Sequence, residues 1–190
     1  MLNKLVFDLQ YRFSKPPWDS GVTPPEVVTL IEGGTIAPGR ALDLGCGTGL
    51  AGAPLRGRVE RLEGVDLSPA MLTKARQRGL YDALEAADIV DHLRHFRAAF
   101  DLIVAADALA YFGELPPVFA ATAAALAPGG LLVFTVETFA GEGYRLGETM
   151  RFVHAPAYVE ASAAAASLHP IIVEAASVRR DGPRAWPSLP

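Results

Sequence analysis

The sequence predicts an α/β fold, a doubly wound and mostly parallel sheet in a single domain, on three observations. Apolar strand-like runs alternate with helical ones from about residue 40 to residue 136, and strands that alternate with helices build parallel βαβ units. A glycine cluster, Gly45-Cys46-Gly47-Thr48-Gly49, stands directly after the first apolar run and ahead of a helix. The third observation is length, since 190 residues suit one compact domain with a full core.

The elements follow in order. Phe7, Tyr11, Phe13 and Trp18, with the breaker pair Pro16-Pro17, mark residues 1–22 as a lead-in that lies as a lid against the domain. Thr23, Pro24, Pro25 and Glu26 open a helix with a hydroxyl cap, Pro at the first helical position and a capping-box Glu. The α/β core is expected over residues 23–180. Its strands are Arg40 to Leu44, Val59 to Val65, a weak one at Ala83 to Ala87, Phe100 to Ala106, and Gly130 to Val136 after the Pro128-Gly129-Gly130 turn. Between them come a Ser68-Pro69-capped helix to about Arg78, an Asp88-capped helix, and a helix over Val118 to Leu126. The Ala-rich stretches 120–127 and 161–166 read as helices packed closely on a sheet, because Ala is the best helix former. Glu137 to Thr149 carries three glycines and no apolar period and reads as a loop, either over a site or as a surface excursion. Pro156 to Leu168 is then a helix, Ile171 to Val178 a strand, and residues 181–190 a proline-rich tail.

Composition narrows the function classes. Apolar residues make up 51% and charged residues 20%, and no run approaches the roughly 18 apolar residues of a membrane span, so no membrane partner is expected. Lys4 and Asp8 interrupt the first ten residues, which do not read as a secretory leader, and a cytoplasmic location follows. The single cysteine, Cys46, leaves no internal disulfide and no thiolate cluster, and no metal is expected. The net charge is −4, and the scattered Lys and Arg form no stripe to neutralise a phosphate backbone. Nucleic acid is therefore not an expected partner, whereas a small-molecule substrate is.

The glycine loop reads as a cofactor cradle, because glycines at a strand end let a ligand approach the backbone and helix-terminal N–H groups. Gly47 to Gly52 also fits the dinucleotide pattern G-x-G-x-x-G, with Asp66 near the position of a ribose-binding acid. Asp43 separates the two readings. A carboxylate two residues before Gly45 is badly placed beside a pyrophosphate but well placed near the ammonium and sulfonium of S-adenosylmethionine. The expected cofactor-binding set is Asp43, Gly45, Cys46, Gly47, Gly49, Asp66, Leu67, Met71, Asp88, Ile89 and Ala105, with Trp18 over the mouth. Asp66 is assigned to the ribose, with helix capping as its alternative. Leu67 and Met71 flank the adenine or fill the core, and Asp88 meets the adenine amino group, caps the next helix, or does both.

Four segments carry a resemblance: Leu42 to Gly49, Gly64 to Leu72, Phe100 to Asp107 and Leu126 to Phe134. Together they resemble the successive motifs of class I S-adenosylmethionine-dependent methyltransferases, over roughly residues 11–180. That implies a Rossmann-like sheet, S-adenosylmethionine as cofactor and methyl transfer as activity, or a cofactor-binding protein of the same fold that does not methylate. Lys74 to Gly79 with Tyr81-Asp82, Gly143 to Leu146 and Arg151 to His154 resemble methyltransferase domains associated with tetratricopeptide repeats. Pro17 to Gly21 resembles the lead-in of the thiopurine and halide methyltransferase-like group. The antiparallel strand that usually closes such sheets is expected to be short or absent, because Arg184 to Pro190 supplies it badly. The sheet edge is then left short or completed by a second copy of the chain. Since in-line methyl transfer needs alignment and at most a proton acceptor, the catalytic candidates are Asp107 and Tyr111, beyond the fourth strand, and His154 with Arg151. His92 and His95 are expected on a solvent-facing helix, and Cys46 as a packing residue.

Overall fold

The computed structural model describes residues 39–173. They build a five-stranded sheet from β1 (Arg40–Leu44), β2 (Arg61–Asp66), β3 (Ala83–Ala86), β4 (Phe100–Ala105) and β5 (Leu126–Phe134). The order is β3-β2-β1-β4-β5 and every pairing is parallel. The helices are α1 (Gly52–Arg56), α2 (Pro69–Arg78), α3 (Ile89–Leu93), α4 (Pro116–Ala125) and α5 (Pro156–Ala165). The chain leaves β1 towards β2 on one side and reaches β4 on the other, so the strand order reverses beside β1. In open parallel sheets ligands bind at that reversal, outside the carboxyl ends of the strands.

The central strands are covered on both faces. Leu42, Leu44, Ile103 and Ala105 enter one apolar cluster with Leu93, Leu115 and Phe119, while Ala41, Leu102 and Val104 enter another with Leu55 and Leu62. Side chains alternate across a strand, so β1 and β4 feed both clusters and are mostly apolar on both faces, each interrupted by one aspartate. Helix starts follow the expected caps. The Ser68 side chain accepts from the Met71 N–H at the start of α2, which ends at Gly79 in the left-handed region with φ 66°. Asp88 caps α3 by accepting from Val90 and Asp91.

Several elements depart from expectation. Strand β5 begins at Leu126, directly after α4, and its pairing with β4 jumps from Phe100↔Leu126 to Leu102↔Leu131. The Pro128-Gly129-Gly130 turn is thus a bulge inside the strand and not its start. Residues 137–149, expected to be a loop, instead contribute two strands to a small second sheet of β6 (Glu137–Thr138), β7 (Tyr144–Leu146) and β8 (Phe152–His154) in the order β6-β8-β7. Helix α5 ends at Ala165 and lies against α4 as well as the core. Residues 171–173 form no strand, and the rest of the expected strand at 171–178, the helix from Thr23, the lead-in with Trp18 and the tail lie outside the described residues. Among the described residues no helix is long and apolar enough to cross a membrane.

Candidate functional site

The glycine loop leaves β1 with Gly45, Gly47 and Gly49 at φ 62°, 54° and 85°, a region that side-chain-bearing residues rarely adopt. Sterics add to this at Gly45, where a Cβ would stand 2.8 Å from the Ala108 Cβ. The loop therefore runs against the segment that follows β4. A Cβ at Gly47 would meet only the Met71 sulfur at 3.7 Å and the Gly45 carbonyl oxygen at 3.9 Å, so the loop backbone leaves space on that side. Cys46 is buried, its N–H donates to the Val65 carbonyl at 3.0 Å, and burial pushes its thiol well up. It packs as a small apolar residue.

Asp66, at the end of β2, holds the loop from the side. Its Oδ2 accepts from the Gly47 N–H at 2.9 Å and its Oδ1 from the Ser68 N–H at 2.8 Å. At the end of β3, Asp88 accepts from Val90 and Asp91 at 2.8 and 3.1 Å, with buried Ile89 beside it. Leu67 is exposed and Met71 buried, and Ala105 is buried at the end of β4. The sheet thus brings Asp43, the loop glycines, Asp66, Asp88 and Ala105 to one edge, the carboxyl ends of four adjacent strands.

Beneath the loop, the Tyr81 hydroxyl donates to Asp43 Oδ2 at 2.6 Å. Burial pushes the Asp43 carboxyl up to about 7, the Tyr81 hydrogen bond works against that rise, and the negative charge of Asp66 adds to it. Burial and then the charge of Asp43 push the Tyr81 phenol far up, so it remains a donor. Arg78 Nε donates to the Thr48 carbonyl at 2.7 Å, which ties the end of α2 to the loop.

Past β4 the chain turns through Asp107, whose φ is 61°, into a 3-10 turn at Leu109–Tyr111. Aspartate tolerates the left-handed region better than most residues, and the Asp107 N–H donates to Thr135 Oγ1 at 2.8 Å. The Asp107 carboxylate pairs with Arg151. Buried Arg151 also pairs with Glu137, donates to the Tyr111 hydroxyl at 3.1 Å and stacks its charge over that ring at 5.1 Å. Burial works against the guanidinium charge, but these partners outweigh it and hold the proton more firmly than in an ordinary arginine. Arg151 thereby fastens the small sheet to the end of β4.

His154 stands apart from that group. It is buried, with Nε2 at 2.9 Å from the Phe112 carbonyl oxygen and the ring stacked on Tyr158 at 6.1 Å. A carbonyl oxygen only accepts, so Nε2 is the donor in that contact, and among the described residues buried Nδ1 has no hydrogen-bond partner. The aromatic residues also divide: Tyr144 packs with Phe152 and Tyr158, while Tyr111 belongs to Arg151. His92 corrects an expectation, being 5% exposed and not solvent-facing, with Nδ1 at 3.2 Å from Glu85 and burial lowering its pKa. The contacts of Arg78, Glu137 and Tyr81 with the loop and with Arg151 escape residue-by-residue reading. Arg78 and Tyr81 lie in a segment singled out above by its resemblance, and the structure adds that Gly52, a glycine with no left-handed φ, has Tyr81 atoms as its three nearest neighbours.

Residues 41–130 match the family model described as a methyltransferase domain. The chain is 30% identical over 154 residues to malonyl-[acyl-carrier protein] O-methyltransferase of Serratia marcescens, covering 76% of this chain and 60% of that protein. One similar solved structure, titled for the conversion of a disulfide bond into a thioacetal group during echinomycin biosynthesis, has a TM-score of 0.64 at 32% identity. It aligns with 71% of this chain, which covers 62% of it. Another, the [4+2]-cyclase SpnF, has a TM-score of 0.61 at 25% identity over 74% of this chain and 55% of its own. The chain thus spans about three fifths of the length of this curated relative.

Proposed function

We propose that this chain, a member of the class I S-adenosylmethionine-dependent methyltransferases, binds S-adenosylmethionine at the glycine loop and methylates a small or medium-sized acceptor. One observation carries the reading: a glycine loop bent three times into the left-handed region, with a carboxylate at the end of each of the next two strands. A dinucleotide is the poorer occupant, because the buried Asp43 carboxylate lies beneath the loop and repels a pyrophosphate.

The residues divide the work as follows. Asp66 takes the ribose hydroxyls, since a carboxylate has about four acceptor sites, enough to hold its loop and accept hydroxyls as well. Asp88 accepts from the adenine amino group while capping α3, with Ile89, Leu67 and Met71 against the ring. Cys46 and Ala105 line the floor, and Asp43 contributes negative charge towards the cationic end. When bound, S-adenosylmethionine supplies an electrophilic methyl on a sulfonium. Asp107 and Tyr111, fixed by Arg151, align the acceptor beside it and take its proton where it carries one. His154 enters as a second base candidate, although its donation to the Phe112 carbonyl fits an anchor better. A location in the cytoplasm belongs to the same reading, as does pairing of a second copy at β5, an edge strand among the described residues.

A second reading has its own support. The likeness to a [4+2]-cyclase fits a cofactor-binding protein of this fold that transfers no methyl group. Incubation with methyl-labelled S-adenosylmethionine over small nucleophiles, bulk protein and tRNA, with S-adenosylhomocysteine as the measured product, separates the two. Labelled small acceptors are expected. Labelling of a polymer alone overturns the acceptor class, and binding without turnover on any acceptor favours the second reading.

A further inference from the structure

We propose that Tyr81 is a positioning residue of the cofactor site, holding the Asp43 carboxylate and the rear of the glycine loop in the arrangement that receives a cation. The inference rests on the cofactor reading above and adds a residue that has no place in it.

Three features of Tyr81 converge. Its hydroxyl donates to Asp43 Oδ2 at 2.6 Å and accepts from the Gly52 backbone N–H, so both of its bonding directions are fixed by the strand-loop-helix unit. Its ring lies flush against that unit. A Cβ at Gly52 would stand 2.5 Å from the hydroxyl oxygen, and one at Gly49 or Gly64 would stand 3.0 Å from a ring carbon. Gly52 completes the G-x-G-x-x-G spacing, and the ring bulk accounts for it without any pyrophosphate.

The third feature is charge. Asp43 is 1% exposed, and among the described residues no cation pairs with it. The titratable groups that face it are Tyr81, Asp66 and Cys46, all neutral or negative, and its strand partners are Gly64 and Val104. An ionised carboxylate in such surroundings is costly without a positive partner. A cationic ligand at the loop supplies one, and the Tyr81 hydrogen bond favours the ionised form that the ligand needs. Tyr81 therefore acts through Asp43 and has no need to touch the ligand.

The test is calorimetric titration of the full chain with S-adenosylmethionine at several pH values around 7, for wild type, Tyr81→Phe, Asp43→Asn and the double variant. Wild-type affinity is expected to fall as pH drops through the Asp43 titration at about 7. Tyr81→Phe keeps the ring and should weaken binding about tenfold, as expected for a lost hydrogen bond to a charged group, while moving the fall to higher pH. In the Asp43→Asn background the same change should add nothing. Equal profiles for wild type and Tyr81→Phe, or an undiminished Tyr81 effect in that background, overturn the proposal. Should Tyr81→Phe fail to fold, identical profiles for wild type and Asp43→Asn overturn it instead. A wild-type chain that binds at no pH overturns the cofactor reading itself.

Discussion

Asp43→Asn should reverse its effect on ligand-free stability between acid and neutral pH. In the folded chain the carboxyl titrates at about 7 instead of 3.8, chiefly because it is buried. The sign follows from proton counting: between those values the native state keeps a proton that the unfolded chain has released, so stability is highest on the acid side and is lost as pH rises to about 7. The full span is worth at most about 4 kcal/mol. Asparagine removes that slope but leaves part of its amide without a partner, at a cost of about 1–3 kcal/mol. The variant should accordingly be about 1–3 kcal/mol less stable than wild type near pH 4 and about 1–3 kcal/mol more stable near pH 8. Urea unfolding followed by circular dichroism at a series of pH values measures both curves. Parallel curves, with no crossing, would refute the reasoning.

Four further outcomes are expected. Asp66→Ala should weaken S-adenosylmethionine binding by about 1.5–3 kcal/mol, because the proposed ribose partner and the brace on the Gly47 N–H go together; an unchanged Kd in calorimetry contradicts this. Gly64→Ala places a Cβ 2.7 Å from Leu84 Cδ2 and 3.0 Å from Cys46 Sγ, and overpacking of this kind costs about 1–3 kcal/mol, visible as a lowered Tm. Arg151→Met strips Asp107 and Glu137 of their cation. Their side chains are 31% and 41% exposed, so water recovers part of the loss and about 1–2 kcal/mol is expected instead of the 3–5 of a dry pair, with faster proteolysis in residues 137–155. Asp88→Ala removes a helix cap and should cost about 1 kcal/mol in chemical denaturation, together with some cofactor affinity.

What the sequence made legible was local. Ser68 and Asp88 announce their helices because a short polar side chain before an apolar run has one good use, and Gly45, Gly47 and Gly49 announce their loop because their φ values suit glycine best. The two-faced burial of β1 and β4 is visible in runs that are apolar on both faces apart from one aspartate each, Asp43 and Asp101. Partners distant in the chain are a different matter. Arg151 meets Asp107 across 44 positions and Glu137 across 14, and nothing in the composition of those segments selects these pairs among the other charges nearby. Strands of two or three residues, as in β6 to β8, are too short to show an alternation. The same holds for α3, whose five residues give too little helical period to reveal that His92 turns inward. Asp43 was legible as a charge unsuited to a pyrophosphate, whereas its clasp by Tyr81 needed the fold.

The strand order also bears on how the chain assembles. Ala41 pairs with Leu62, 21 positions on, and with Leu102, 61 positions on. Loop-closure entropy makes the longer pairing dearer by only about 1 kcal/mol, yet that suffices to let β1 join β2 several times sooner than β4. Until β4 docks, β1 has one open edge with Leu42 and Leu44 uncovered beside it, which is a template for unwanted pairing between nascent chains. The β1 edge is therefore covered only once the second half of the sheet, about 60 residues later in the chain, has docked.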